Sequence, residues 1–209
     1  VPSLSYAGAG TVTIEAFLTP ATTDQAFGRP ISLSGASGGG FVCIEQKGTV
    51  WHPCAGVAQS KYFIKSSHTI QVGQRSHLAF VWDGSESLVL FVDGKRQPSD
   101  VAKIARNANR PRFMIGADLD QAMKVSNGFA GLIDEVRVSS GARYGLDFTP
   151  PKHYQPDANT LALYHFDEGT GDVLKDSSGN NHHGKIVGAK WVKANEDANK
   201  PKVSPSIGP

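Results

Sequence analysis

Hydrophobic and polar residues alternate with a period of two along much of the chain, most clearly over residues 11–19. There Val12, Ile14, Ala16 and Leu18 share one face, with Thr13, Glu15 and Phe17 on the other, the pattern of a β-strand. "SHLAFVWDGSESLVLFVDGKR" reads as two strands, at 77–82 and 88–92, joined at Asp83, Gly84, Ser85 and Glu86. The second runs into Asp93-Gly94, a dipeptide that accepts the positive φ angles of a tight hairpin turn. Further strands are expected at 41–45, 62–64, 68–72, 112–115, 132–138, 161–166 and 185–192. No stretch keeps a helical period over three or four turns, and glycine and proline punctuate the chain too often for long helices. Many short strands without β-α-β spacing predict an all-β fold, a two-sheet antiparallel β-sandwich.

At 209 residues the chain is long enough for one sizeable core, and sandwiches of this length commonly form a single domain. The domain is expected over residues 3–193. Residues 139–160 read as a structureless connection, longer than most loops, and residues 194–209 as a polar, Pro-rich disordered or extended tail. The net charge of +2 and the lack of a Lys/Arg stripe interleaved with aromatics argue against nucleic acid. No apolar run approaches the length of a membrane span and no signal peptide opens the chain, so a soluble, monomeric domain cut from a longer protein is expected. Cys43 and Cys54 bracket a hairpin-like segment and are either bridged or two free thiols.

Catalytic patterns are weak. Gly35-Ala36-Ser37-Gly38-Gly39 matches the G-x-S-x-G spacing of a nucleophile elbow, but a strand-like "FVCIE" follows where a helix is needed. A glycosidase needs two carboxylates flanking the scissile bond, and adjacent Asp134 and Glu135 should face opposite sides of one strand. His165, His182 and His183 lie near Asp167 and Asp176, with spacing poor for a transition metal. The chain is therefore expected not to be an enzyme.

The segment "LALYHFDEGTGDVLKDSSGNNHHGKIVGAKWV" at 161–192, together with "GLIDEVRVS" before it, resembles laminin-G-like domains of the concanavalin A-like jelly-roll type. In that family the "DSSGN-HG" block usually opens the domain and "IDEVR" closes it. Here the order is reversed, and "SLSYAGAGTVTIEAFLTP" at the start looks like what normally follows "HHGKIVGAKWV". The resemblance therefore implies a circularly permuted module, with 139–160 as the linker, which is tolerated when domain ends lie close together. One departure stands out: "RSHLAF" has Arg75 and Ser76 where the family commonly has Trp and His.

Similar domains are appended to large multidomain bacterial proteins, planctomycete ones included, so the resemblance implies an extracytoplasmic or secreted recognition module. It implies a structural calcium, with Asp134 and Asp167 as first candidates and Asp176 as a third. The alternatives are strand-edge carboxylates paired with Arg137 or backbone amides and, for Asp176, a cap on its own turn. The implied partner is carbohydrate, read by aromatic faces, with Trp51 and Tyr62 as the exposed candidates and Trp82 and Trp191 assigned to the core. A neighbouring protein domain is the alternative partner.

Overall fold

A computed structural model of the chain describes residues 1, 4, 10–21, 26–34, 40–47, 49–57, 62–82, 88–98, 112–120, 122 and 124–193. In chain order they form β1 (Val12–Pro20), β2 (Phe27–Ser34), β3 (Gly40–Lys47), β4 (Val50–Val57), β5 (Tyr62–Lys65) and β6 (Ile70–Gln71). There follow β7 (Ser76–Trp82), β8 (Leu88–Val92), β9 (Lys95–Arg96), β10 (Arg112–Ile115), β11 (Asp118–Leu119) and β12 (Val125–Ser126). The last four are β13 (Gly131–Ser140), β14 (Thr160–Tyr164), β15 (Val173–Leu174) and β16 (Gly184–Lys185). No helix forms among the described residues, and none is long and apolar enough to cross a membrane.

The first sheet has the order β14-β13-β1-β7-β8-β9 and the second β10-β2-β3-β4-β5, with β6 also pairing β4. Every ladder is antiparallel, and the two sheets pack face to face as predicted. Ile14, Phe80, Trp82 and Leu90 of the first sheet share one core with Ile31, Ile44, Trp51 and Phe113 of the second. Burying a side chain of this size stabilises by about 1.5–3 kcal/mol. Asp93 and Gly94 have φ of 49° and 74°, the paired positive angles of a type I′ hairpin turn.

Two expectations change and one open reading is resolved. Strand β2 went unmarked because Gly28 and Pro30 interrupt its pattern; the ladder to β3 shifts register between Gly28 and Ile31, an irregularity that accommodates the proline. Of the strand expected over 185–192, only Lys185 pairs, while Ile186 and Trp191 reach the core from irregular backbone that turns at Gly188, φ 78°. Cys54 is disulfide-bonded, and Cys43, the other cysteine of the chain, is its direct partner in the β3–β4 ladder. The Gly35–Gly39 run, the 83–86 connection and the 194–209 tail lie outside the described residues.

The largest departure is the connection between β13 and β14. It carries no strand, as expected, but residues 141–157 lie as a strap over the outer face of the first sheet. Tyr144 and Phe148 stack at 3.5 Å between ring centroids and pack on Ala79, Val81, Val89 and Phe91. Further along, Tyr154 packs on Phe17 and Leu163. Backbone bonds hold the strap down: Phe148 N–H donates to the Gly94 carbonyl at 2.9 Å, and Arg143 N–H to Thr13 Oγ1 at 3.0 Å. The Arg143 guanidinium grips both oxygens of Asp157 at 2.8 and 2.7 Å, closing the strap on itself and holding that carboxyl well below its usual range.

Beneath the strap lies a buried polar network. Glu15 Oε1 accepts from Arg137 Nε at 2.8 Å, and Oε2 accepts from the Tyr144 hydroxyl at 2.9 Å. His77 Nε2 lies 3.1 Å from the same oxygen. Burial alone would raise the Glu15 carboxyl, but the His77 hydrogen bond and the Arg137 charge together hold it below its ordinary 4.5.

Two predictions follow from this packing. A Cβ at Gly94 would overlap the Phe148 carbonyl oxygen, and the residue sits at φ 74°, so Gly94→Ala should cost on the order of 2–3 kcal/mol. Urea unfolding measures the loss, and faster tryptic cleavage after Lys152 should report the lifted strap. Because the folded Glu15 carboxyl titrates below its unfolded value, its contribution is present above pH 4.5 and lost as pH falls below that. Glu15→Gln should lower stability at pH 7 by about 3 kcal/mol, through the uncompensated Arg137, and flatten the acid limb of a stability-versus-pH curve.

Candidate functional site

Strand β13 does not alternate regularly where it passes the strap. Glu15 pairs with Arg137 but Phe17 pairs with Asp134, so β13 carries one more residue than β1 between those points. The extra residue makes a β-bulge, and Glu135 within it has a φ of 51°, a left-handed conformation that a non-glycine residue rarely adopts. Ile133 and Val136 both pack against the main core, which turns Asp134 and Glu135 together to the outer side. The expectation that these two face opposite sides of the strand is thereby corrected.

The bulge places Glu135 under the end of the strap, where it is 4% exposed. Its Oε1 lies 2.8 Å from His153 Nδ1 and 2.9 Å from His165 Nδ1. The two imidazoles stack, with centroids 4.3 Å apart and planes at 18°. Its Oε2 accepts the Tyr154 backbone N–H at 2.9 Å. Strand β13, the strap and the residue after β14 thus contribute one side chain each to a group whose donor atoms all lie within 4.8 Å. Among the described residues this is the group able to hold a metal ion.

The three carboxylates proposed as calcium ligands are not in it. Asp134 bonds Arg75 Nη2 at 2.9 Å, and that guanidinium also lies 3.6 Å over the Phe17 ring. Arg75, one of the family departures, thereby takes Asp134 as its partner. Asp167 is exposed three residues beyond the end of β14. Asp176 caps its own turn: its oxygens accept from Ser178 N and Oγ, His182 N and Leu163 N at 2.8–2.9 Å. Burial would raise this carboxyl, but those backbone donors hold it below its usual range. Calcium takes six to eight oxygen ligands; Asp134 and Asp176 are engaged with different partners, and among the described residues the three carboxylates do not come together in one group. Glu135 and its two histidines, one carboxylate and two nitrogens, do not suit calcium either.

The aromatic expectations also change. Trp51 is fully buried at 0% exposure in the core, because in β4 it shares a face with Ala55, while His52 and Cys54 take the outer one. The side chain of Tyr62 lies outside the described residues; its backbone pairs with Val57 in β5. Trp82 is in the core and Trp191 packs half-buried against it, donating its indole N–H to the Gly171 carbonyl at 2.9 Å.

On the second sheet the register aligns a row across three strands: Phe27 opposite Glu45, and Glu45 opposite His52. All three are half-buried, and Glu45 is ion-paired with the exposed Lys65. Beside this row β11 lies against β2 on the same outer face, where Ser32 Oγ donates to Asp118 Oδ1 at 2.6 Å and both residues are buried. Nothing in local spacing marked Phe27, His52, Glu135 or His153. His165 carried a signal only through its closeness to Asp167.

A family profile described as the concanavalin A-like lectin/glucanases superfamily, of the laminin-G type, matches residues 1–145. Among solved structures, a native heptameric SAP-like pentraxin from Limulus polyphemus is similar, with 15% identity and a TM-score of 0.51. That match covers 65% of this chain and 66% of the pentraxin. Domain 4 of an extracellular GH43 arabinanase from Geobacillus stearothermophilus, solved with arabinotriose, aligns with 18% identity and a TM-score of 0.48 over 67% of this chain and 64% of that one. The chain thus spans just under two thirds of each neighbour, and at such identities the pentraxin likeness concerns the fold alone. No curated protein matches the chain. With the profile spanning more than half of its length, the chain belongs to the concanavalin A-like lectin/glucanases superfamily.

Proposed function

We propose that this chain is a non-catalytic recognition module that binds carbohydrate on the outer face of its second sheet. The observation that carries the reading is the contrast between the two outer faces. The first is closed by the strap, whereas the second presents Phe27, Glu45 and His52 as a row. Adjacent strands lie about 4.8 Å apart, so the row spans about the width of two sugar rings. An apolar ring, a carboxylate and an imidazole combine stacking area with hydrogen-bonding groups, the means by which a sugar's two kinds of surface are read. The disulfide-bonded Cys54 in β4 makes this face rigid, so little ordering is lost on binding.

The superfamily description embraces both lectins and glucanases, and the chemistry of this face favours the former. Its carboxylates, Glu45 and the nearby Asp118, are ion-paired with Lys65 and Arg29. Glu15 and Glu135 are buried beneath the strap, out of reach of a polysaccharide. Among the described residues, no free acid and base are set across a cleft in the manner of glycoside hydrolysis. Calcium has no part in this reading, because Asp134, Asp167 and Asp176 are not brought together among the described residues.

An oxidising, extracytoplasmic setting within a larger protein accords with the disulfide. The permuted order is supported by the closeness of the first residue to the last strand: a Cβ on Gly184 would lie 3.4 Å from Val1 Cγ2. A reordered chain that starts at Asp157 and runs from Lys193 into Ser3 should therefore fold to a similar Tm; failure to fold would reject the permutation.

Binding of the full chain to a broad glycan array tests the function. A related set of glycans should be retained, and Phe27→Ala and His52→Ala should each weaken the best of them tenfold or more, about 1.4 kcal/mol. A blank array would reject carbohydrate and favour docking of a neighbouring protein domain. Binding untouched by both substitutions would move the site elsewhere.

A further inference from the structure

We propose that Glu135, His153 and His165 bind a zinc-class divalent ion that clamps the strap onto the first sheet. The proposal is independent of the carbohydrate reading, because it concerns the opposite side of the sandwich. Two imidazole nitrogens and one carboxylate oxygen are a donor set for late first-row divalent metals, zinc above all, and unsuited to calcium or magnesium. Around a tetrahedral zinc ion neighbouring donor atoms lie about 3.3 Å apart. The two oxygen–nitrogen separations of 2.8 and 2.9 Å would lengthen by about half an ångström as the ion enters, and the two histidine donor atoms already lie within 4.8 Å of each other. Without the ion, a ring at these distances would donate an Nδ1–H to the carboxylate; to ligate, a neutral ring shifts that proton to Nε2, or an imidazolium releases its Nδ1 proton to solvent, and Nδ1 presents its lone pair.

The surroundings fit a built site. The Tyr154 backbone N–H fixes the second oxygen of Glu135, the kind of outer partner that orients metal-ligating carboxylates. The carboxylate is buried, while the His153 side chain is 51% exposed, so the ion has a route of entry and its remaining positions face solvent. Glu135 reaches the group only through the bulge and its φ of 51°, a conformation that costs free energy unless something offsets it. The three ligands come from β13, the strap and the end of β14, so one ion would link the strap to the two strands it bridges. Ligands that close a long chain segment in this way raise stability by binding the folded state alone.

The test uses the full chain freed of any affinity tag, stripped with chelator and titrated with Zn2+, Co2+ and Ca2+. One equivalent of Zn2+ should raise Tm by on the order of 5 °C, and Zn2+ should slow tryptic cleavage after Lys152. Co2+ should develop the intense visible bands of a low-symmetry four- or five-coordinate ion, and Ca2+ should do neither. His153→Ala and His165→Ala should each weaken Zn2+ affinity at least 100-fold. His153 lies on the exposed strap, so its variant keeps the test valid even if a change at Glu135 disturbs folding. No rise in Tm with Zn2+, or a rise unchanged in both histidine variants, would overturn the site.

Discussion

The Glu15 carboxylate is buried in the outer face of the first sheet, and the arrangement of that whole side follows from how its charge is matched. A lone carboxylate in such a place would cost several kcal/mol. Arg137 from β13 neutralises it, His77 from β7 lies against it, and Tyr144 from the strap donates to it. Three neighbouring strands and the connection that covers them therefore meet at one side chain. The Tyr144 hydroxyl, pushed upward by burial and the Glu15 charge, stays protonated and keeps its role as a donor.

Covering that face has consequences for the rest of the molecule. A sheet buried on both sides reads as hydrophobic in both phases, and all seven residues of β7 and all five of β8 are indeed buried. The outer face of the second sheet has β11 against β2 at one side and the half-buried Phe27, Glu45 and His52 beside it. Its disulfide-bonded Cys54, ion-paired Glu45 and half-buried Phe27 and His52 give it a polar, pinned character that a packing surface would lack. The contrast between the two outer faces is thus set by the strap and not by the strands themselves.

The bulge in β13 is the second device. By adding one residue to β13 it turns Asp134 and Glu135 to the same side, where Arg75 takes the first and two histidines gather around the second. Arg75 stands where the resembling family commonly carries a tryptophan, and its stacking on Phe17 keeps aromatic contact while adding a charge. That charge engages Asp134, the carboxylate from which a calcium site would most naturally have been built. Among the described residues, Asp134, Asp167 and Asp176 are therefore not gathered into one group.

The all-β class, the sandwich, the Asp93-Gly94 hairpin and the family kinship were all legible in the sequence, because period-two alternation, turn chemistry and motif order are local properties. Even the Asp176 turn was among the readings, since its donors lie mostly within six residues. The orientation of Trp51, the docking of residues 141–157 and the gathering of Glu135, His153 and His165 were not. Trp51 faces the core because β4 is paired on both sides in one register, and a neighbour with the same local composition, His52, takes the open face instead. The strap looked like linker because its few apolar residues, Tyr144, Phe148 and Tyr154, are spaced for no regular element and find their partners only on a finished sheet. A bulge depends on the count of residues between pairings with another strand, here more than a hundred positions away, so only the assembled tertiary structure could decide where Glu135 points.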